Sequence, residues 1–84
     1  MDLRARVRQL ISDNLLDDAG RNLFGTLPDS ASLIEAGLLD SLGVVQMVAL
    51  LEQTFAVVFD PLDISVENLE SVDKVARLVG ERMP

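Results

Sequence analysis

The sequence predicts an all-α fold: a small four-helix bundle of three main helices plus one short helix, with a long loop between helices I and II. Three observations predict it. Apolar residues recur at spacings of three and four in separate segments, side chains able to cap a helix precede these segments, and glycine and proline accumulate between them. With 84 residues, of which 49% are hydrophobic and 25% charged, the chain has the composition of a single folded domain spanning residues 1–84.

Helix I is predicted from about residue 2 to 16. Asp2 is available as its N-cap, because a carboxylate there can accept a hydrogen bond from an unpaired amide of the first turn. Residues spaced by three and four form one amphipathic stripe on this helix. The stripe consists of Leu3, Val7, Leu10, Ile11 and Leu15.

A loop is predicted from Asp17 to Leu39, where the periodicity fades and glycine, proline, aspartate and serine accumulate. A structureless loop of more than about 12–15 residues is unusual in a compact domain unless it is functional or held in place. We therefore expect apolar side chains to hold this loop to the core. They are Leu23, Phe24, Leu27, Leu33 and Ile34.

Helix II is predicted from its N-cap Asp40 to about Phe55, and it carries more apolar surface than one core needs. One stripe consists of Val44, Met47, Val48, Leu51 and Phe55. A second consists of Leu42, Val45 and Ala49, edged by Gln46, Glu52 and Gln53. Since a surface helix normally buries one apolar arc, two interpretations are open. Either the loop buries the helix on both sides, or the second stripe is a docking surface with an acidic edge.

The last third of the chain is predicted to contain one short and one longer helix. The segment "AVVFDPLDI" favours a loop or a short extended piece, with a turn at Asp60-Pro61. Ser65 is the expected cap of a short helix over Val66 to Leu69. Ser71 is the expected cap of the last main helix, which ends at Gly80 or frays to Met83. Its apolar residues are Val72, Val75, Ala76 and Val79.

Charge and composition restrict the possible partners. The net charge of -7 arises from 14 acidic and 7 basic side chains. A molecule with this charge would be repelled by a nucleic-acid backbone or an anionic membrane. We expect basic partner surfaces, no nucleic acid, no membrane insertion and a monomer. The N-terminal residues lack the apolar block of a signal peptide or membrane span. The absence of cysteine excludes disulfides and is compatible with a cytoplasmic location. The chain reads as a stand-alone protein.

The segment "GLLDSLG", residues 37–43, places Ser41 at the predicted start of helix II. A serine nucleophile needs a base, usually histidine, and the chain contains no histidine. Its only lysine, Lys74, has no motif around it. The carboxylates of Asp17-Asp18 or Asp60/Asp63 lack the spacing of a calcium loop. We therefore predict no catalytic residue and no metal site.

Two interpretations of Ser41 remain. In the first, Asp40 is an ordinary N-cap for the amide of Leu42 or Gly43, and Ser41 is merely exposed at the first helical position. In the second, Ser41 is a site on which another enzyme acts. Its hydroxyl would lie at the positive end of the helix dipole, where an attached phosphate is favoured. Gly43 costs up to about 1 kcal/mol of helix propensity relative to alanine, and it leaves the surface beside Ser41 open.

"GLLDSLG", followed by the apolar helix with Glu52 and Phe55 and by "DISVENLESVDKVARLV", resembles the acyl carrier protein and peptidyl carrier protein superfamily. The resemblance covers residues 3–82. It implies that Ser41 receives 4'-phosphopantetheine from coenzyme A through a separate phosphopantetheinyl transferase, and that the thiol of this arm carries acyl or aminoacyl groups as thioesters. It also implies recognition roles for Asp40 and Leu42 of the motif, which help to receive the transferase and later partners. We expect further recognition residues on this face at Gly43, Val45, Gln46, Ala49 and Glu52.

Two departures bear on which carrier the chain resembles. Fatty-acid-synthesis carriers usually have a carboxylate directly after the motif leucine, whereas Gly43 and Gln46 stand where acids are common. The run Gly43-Val44-Val45-Gln46 is more similar to D-alanyl carrier proteins and other discrete aminoacyl or specialised acyl carriers. We therefore expect a specialised pathway with an acyl- or amino-acid-activating ligase and downstream transferases or synthases as partners. The alternatives are a housekeeping fatty-acid-synthesis carrier and an unmodified helical adaptor that binds a partner through helix II.

Overall fold

The computed structural model describes residues 2–84 and confirms the all-α class. This part of the chain forms five α-helices and one 3₁₀ turn, and it contains no strand. The helices are α1 (Leu3–Leu15), α2 (Asp18–Phe24), α3 (Ser41–Phe55), α4 (Val66–Leu69) and α5 (Val72–Arg82), and the 3₁₀ turn is Pro61–Asp63. None of the helices within residues 2–84 has both the length and the hydropathy needed to cross a membrane.

The core lies between α1, α3 and α5. Helix α1 begins at its predicted cap, since the carboxylate of Asp2 accepts a hydrogen bond from the amide of Arg4 at 3.0 Å. It packs against both α3 and α5. Burial of these apolar faces is the main favourable contribution to folding. The fully buried side chains at the centre are Val7, Ile11, Met47, Leu51, Val75 and Val79.

The segment between α1 and α3 differs from the predicted loop, because Asp18–Phe24 forms α2. The carboxylate of Asp17 caps this helix by accepting a hydrogen bond from the amide of Gly20 at 2.7 Å. Only Phe24 of α2 is buried, so the helix has no apolar stripe that periodicity could reveal. The expectation that Leu23 holds this segment to the core is wrong, since its side chain is 43% exposed.

The other apolar residues of this segment do pack on the core, as expected. Phe24 and Leu33 are buried, and Leu27 and Ile34 are partly buried against the core. Helix α2 ends at Gly25, whose amide donates a hydrogen bond to the carbonyl of residue 21.

One side chain of α1 holds the end of α2 and the start of the following loop. The guanidinium of Arg8 donates hydrogen bonds to the carbonyls of Phe24 and Leu27, each at 2.6 Å, and to the carboxylate of Asp29 at 2.9 Å. It also lies 4.2 Å from the centroid of the Phe24 ring, within cation–π distance. The rigid fork of an arginine suits such a multiple contact. The carbonyl of Leu27 is thereby satisfied, and that of Phe24, which also accepts a hydrogen bond from the amide of Leu27, gains a second donor.

The loop is also bound to the junction between α4 and α5. The amide of Leu33 donates to the carbonyl of Glu70 at 2.7 Å, and the amide of Asp73 donates to the carbonyl of Asp29 at 3.0 Å. The hydroxyl of Ser32 lies 3.5 Å from the Glu70 carboxylate. The segment that precedes α3 is therefore fixed from both the N-terminal and the C-terminal parts of the chain.

The C-terminal helices begin where the capping residues predict. The hydroxyl of Ser65 accepts a hydrogen bond from the amide of Asn68, and that of Ser71 accepts one from the amide of Lys74, both at 3.2 Å. The predicted turn at Asp60-Pro61 is the 3₁₀ turn, with the Asp60 carboxylate bound to the amide of residue 62 at 2.9 Å. Helix α5 continues through Gly80 to Arg82, one residue short of Met83, the later of the two predicted ends.

Most basic side chains are paired with carboxylates of the same molecule. The ion pairs are Arg4–Asp73, Arg8–Asp29, Arg21–Asp18, Lys74–Glu70, Arg77–Glu81 and Arg82–Asp63. The guanidinium of Arg6 lies instead over the ring of Phe55, 4.6 Å from its centroid. The excess negative charge therefore resides on carboxylates outside these pairs. These carboxylates are available to interact with a basic surface on a partner.

Candidate functional site

The turn that leads into α3 depends on a left-handed residue. Gly37 has φ 77°, a conformation that glycine adopts without the steric cost of a Cβ atom. The amide of Gly37 donates to the carbonyl of Ile34 at 3.0 Å, and the amide of Leu38 donates to the carbonyl of Leu33 at 2.9 Å. This pair of bonds is the Schellman pattern that usually closes a helix. It turns the chain so that Leu39 enters the core.

Asp40 is the N-cap of α3, as predicted. Its carboxylate accepts a hydrogen bond from the amide of Gly43 at 2.8 Å, and its carbonyl accepts one from the amide of Val44 at 2.9 Å. The amides of Ser41 and Leu42 have no acceptor within residues 2–84. The start of this 15-residue helix therefore presents two free donors at the positive end of its dipole.

Ser41 is the first residue of α3 and is exposed. Its hydroxyl makes no hydrogen bond within residues 2–84, so it is free to react or to be modified. Lys74, considered as a possible base, lies on α5 and binds the carboxylate of Glu70 at 2.6 Å. Asp40 uses its carboxylate to cap the helix. The arrangement suits a hydroxyl to which a partner enzyme transfers a group, with the free amides placed to bind a phosphate oxygen.

The structure explains the glycine at position 43 by a close contact that the sequence did not reveal. A Cβ atom at this position would lie 3.2 Å from Cδ2 of Leu39 and 3.4 Å from Oδ1 of Asp40. Leu39 is buried, so its movement would disturb the packing below the first turn of α3. The glycine therefore allows the core to approach the helix closely beside Ser41.

The structure decides between the two interpretations of the second apolar stripe. The first stripe, from Val44 to Phe55, is buried, whereas Leu42 is 64% exposed and Val45 60% exposed. Ala49 and Gln46 are exposed on the same helix. The interpretation in which the loop buries α3 on both sides is wrong. An uncovered face of leucine, valine and alanine begins one residue after Ser41.

Glu52 has a contact inside the molecule that sequence analysis did not anticipate. Its side chain is half-buried, and its carboxylate accepts a hydrogen bond from the amide of Phe59 at 3.1 Å. Ala56, with φ 54°, reverses the chain after α3 so that Val57 and Phe59 reach the core. Glu52 thus holds the segment after α3 in place, at the end of the helix opposite to Ser41.

Residues 2–84 contain no group of three or more histidine, cysteine or carboxylate side chains placed to hold a metal ion. The potential at the helix start is set instead by backbone amides and by the Asp40 carboxylate. Within α3 itself Glu52 is the only ionisable side chain. The exposed face of α3 that begins at Leu42 therefore carries no charged side chain in the first turns of the helix.

Comparison with known proteins agrees with this geometry. The sequence profile of the family described as "Phosphopantetheine attachment site" matches residues 5–79, which is most of the chain. A search of curated proteins gave no match. Domains of this family are non-catalytic carriers that bear 4'-phosphopantetheine covalently on a serine. The chain therefore belongs to the phosphopantetheine attachment site family, within the acyl and peptidyl carrier protein superfamily, and is a phosphopantetheine-bearing carrier.

Proposed function

We propose that Ser41 is the residue to which 4'-phosphopantetheine is attached, and that the chain presents acyl or aminoacyl thioesters on this arm to enzymes of a specialised pathway. One observation carries the proposal. The exposed hydroxyl of Ser41 lies at the N-terminus of the longest helix, beside the unpaired amides of residues 41 and 42. A phosphodiester at this point gains hydrogen bonds from those amides and a favourable interaction with the helix dipole.

The other five serines fit this role less well. Ser32, Ser65 and Ser71 use their hydroxyls to accept hydrogen bonds from backbone amides, and Ser71 is buried as well. Ser12 is half-buried within α1, and Ser30 lies in a turn. Neither has the first-turn amides of a long helix beside its hydroxyl. Ser30 is nevertheless exposed, which makes it a suitable control for modification.

The proposed modification is a phosphoryl-group transfer. The Ser41 hydroxyl oxygen forms a bond to the pantetheine-side phosphorus of coenzyme A, the pyrophosphate P–O bond breaks, and adenosine 3',5'-bisphosphate leaves. The hydroxyl proton passes to a base on the transferase, because no side chain among residues 2–84 hydrogen-bonds the Ser41 hydroxyl. Once attached, the arm supplies the thiol that carries the cargo.

Partners are proposed to dock on the exposed stripe of α3. Leu42, Val45 and Ala49 form its apolar centre, and Gln46 and the cap Asp40 flank it. Such a small apolar patch next to the modified residue suits transient contacts with a phosphopantetheinyl transferase, an activating ligase and downstream enzymes.

The nearly uncharged face favours a specialised acyl or aminoacyl pathway over housekeeping fatty-acid synthesis. We also propose that the chain acts in the cytoplasm.

Intact-mass measurement tests the attachment site. The chain is incubated with coenzyme A and a broad-specificity phosphopantetheinyl transferase, and the expected product is heavier by one phosphopantetheine group. We expect Ser41→Ala to remain unmodified and Ser30→Ala to be modified like the parent chain. A mass gain that persists in Ser41→Ala, or none in the parent chain, would contradict the proposal.

Cargo is tested separately with the modified chain. Loading by amino-acid-activating and acyl-activating ligases is compared with loading by a malonyl transferase. We expect efficient loading by a ligase. Efficient malonylation without ligase-dependent loading would instead identify a housekeeping fatty-acid-synthesis carrier.

An unmodified adaptor is a second candidate, favoured by the exposure of Leu42 and Val45. It predicts that Ser41→Ala preserves function in cells while Val45→Glu abolishes it. The carrier function predicts that Ser41→Ala also abolishes it. A complementation assay with both variants separates the two functions, provided that circular dichroism shows both variants to be folded.

A further inference from the structure

A groove begins next to Ser41 on the side of α3 that faces the end of α1. Its near part is lined by Leu15 of α1, Leu38 of the preceding turn, and Leu42 and Gln46 of α3. Beyond Gly37 and Leu38 it continues along α2. This far part is lined by Ala19, Gly20, Leu23 and Ala36. The two parts share Leu15, Gly37 and Leu38, so they form one continuous surface depression.

The groove is open to water, and its lining combines leucine side chains with polar groups. Leu42 is 64% exposed and Leu23 43% exposed, so within residues 2–84 much of their apolar surface is left uncovered. Two glycines keep the depression free of side chains. No atom lies within 4 Å of the Cβ position of Gly37, and a Cβ at Gly20 would lie 3.6 Å from Cδ2 of Leu38. Covering such exposed leucines with an apolar group is favourable, because it removes apolar surface from water.

The near end of the groove starts where the arm would be attached. Asp40 and Leu42, the sequence neighbours of Ser41, both line it. A group joined to the Ser41 hydroxyl therefore emerges at the edge of the groove. Because the group is tethered, its effective concentration there is high, and even weak contacts suffice to hold it.

The chemistry of the lining matches that of the arm. Phosphopantetheine places a phosphate first, then a carbon bearing two methyl groups, and then two amides separated by methylene groups. The free amides of residues 41 and 42 lie at the attachment point, where the phosphate would be. The groove beside them offers leucine side chains to the methyl groups and the Gln46 carboxamide to an amide. Leu42 precedes Gln46 by about one turn of α3, so the leucine and the carboxamide follow Ser41 in the order in which the arm presents its methyl groups and its amides.

We propose that the phosphopantetheine arm docks in this groove, with its dimethyl carbon against Leu38 and Leu42 and an amide hydrogen-bonded to Gln46. The inference rests on attachment at Ser41. The docked arm covers Leu42 but not Val45, which does not line the groove. Val45 and Ala49 thereby remain available to a partner while the arm is docked, whereas a partner that contacts Leu42 would compete with the arm.

NMR of the modified chain tests the docking. In a methyl-labelled sample, we expect nuclear Overhauser effects from the arm's dimethyl protons to the methyl groups of Leu38 and Leu42. We also expect shift changes at Leu15 between the unmodified and modified chains. The methyl groups of Val58, 82% exposed and outside the groove, are the internal control. Cross-peaks only to Val45, or none at all, would overturn the docking.

A matched pair of variants tests the hydrogen bond. Gln46 lines the groove, whereas Gln53 is exposed on the same helix and does not. In fully modified samples, we expect Gln46→Ala to remove or at least halve the arm's cross-peaks, and Gln53→Ala to leave them unchanged. Equal spectra for both variants would refute the role of Gln46. Intact mass confirms the modification beforehand, so an undocked arm is distinguished from a chain that is not modified at Ser41.

Discussion

The carboxylate of Asp63 is bound by the guanidinium of Arg82 through two hydrogen bonds, Oδ2 to Nε at 2.8 Å and Oδ1 to Nη2 at 2.6 Å. The pair joins the 3₁₀ turn to the last turn of α5. Oδ2 also accepts a hydrogen bond from the amide of Asp60 at 2.9 Å. The hydrogen bonds from Arg82 lower the pKa of Asp63, against a smaller opposing effect of burial, and the Asp60 amide lowers it further. The same pair raises the pKa of Arg82.

Asp63→Asn is expected to destabilise the protein in a pH-dependent way. A carboxyl group whose pKa is lower in the folded state contributes stability above its unfolded pKa, and this contribution is lost as the pH falls through the folded value. Urea unfolding at several pH values should therefore show a lower midpoint for Asp63→Asn at pH 7. The difference from the parent chain should shrink below about pH 4.

Asp18→Asn is the matched control, because Asp18 forms its ion pair with Arg21 on the surface and its side chain is 99% exposed. Such pairs contribute little to stability. We expect its unfolding midpoint to follow that of the parent chain from pH 7 to about pH 3. A similar loss for both variants would show that the Asp63–Arg82 geometry has no special contribution.

Gly37→Ala is expected to destabilise the chain by about 1 kcal/mol or more, because alanine is strained at a positive φ. Gly25→Ala is the control, since Gly25 has φ -60° and a Cβ there would have ordinary contacts. It should be neutral or stabilising by up to about 1 kcal/mol. Chemical denaturation measures both changes. Equal effects would mean that the left-handed turn before α3 is not constrained in solution.

Ala56→Gly is expected to stabilise the protein by about 0.5 kcal/mol. Ala56 has φ 54° at the C-terminus of α3, where glycine avoids the cost of a Cβ atom but loses more backbone entropy on folding. The same substitution at Ala5, an exposed position inside α1, should instead destabilise by about 0.5–1 kcal/mol. Thermal unfolding of the two variants should therefore shift in opposite directions.

Val45→Ala and Val48→Ala compare the two faces of α3. Val48 is buried, and its truncation should cost about 2 kcal/mol through lost burial and the resulting cavity. Val45 is 60% exposed, so its truncation should change stability by less than about 0.5 kcal/mol. Denaturant titration distinguishes the two. A large cost at Val45 would indicate that the exposed stripe is covered in solution, for example by a second copy of the chain.

Local sequence signals predicted most of the fold. The caps Asp2, Asp40, Ser65 and Ser71 act where the sequence placed them, and periodicity identified the buried face of α3. These features depend on residues within one or two turns, so the sequence alone contains them. The position of Ser41 at a helix start was predictable for the same reason.

Features that depend on distant residues were not predictable. Helix α2 was missed because Phe24 is its one buried residue. The sequence did contain a local signal for it, an aspartate able to cap its start at position 17 and a glycine at its end at position 25. The Asp63–Arg82 pair joins residues that are 19 positions apart. No spacing rule connects such residues. The groove beside Ser41 likewise depends on Leu15 and α2, which only the folded chain brings near α3.

The two backbone hydrogen bonds between the loop and residues 70–73 also bear on the order in which the protein is made. They hold the loop before Ser41 to a segment that the ribosome adds much later, as the interval of 38 positions between Ser32 and Glu70 illustrates. Contacts so far apart in sequence form only after a costly loop closure. A nascent chain that has emerged only through α3 lacks its anchor, so the setting of Ser41 is completed only when the final helices have been synthesised.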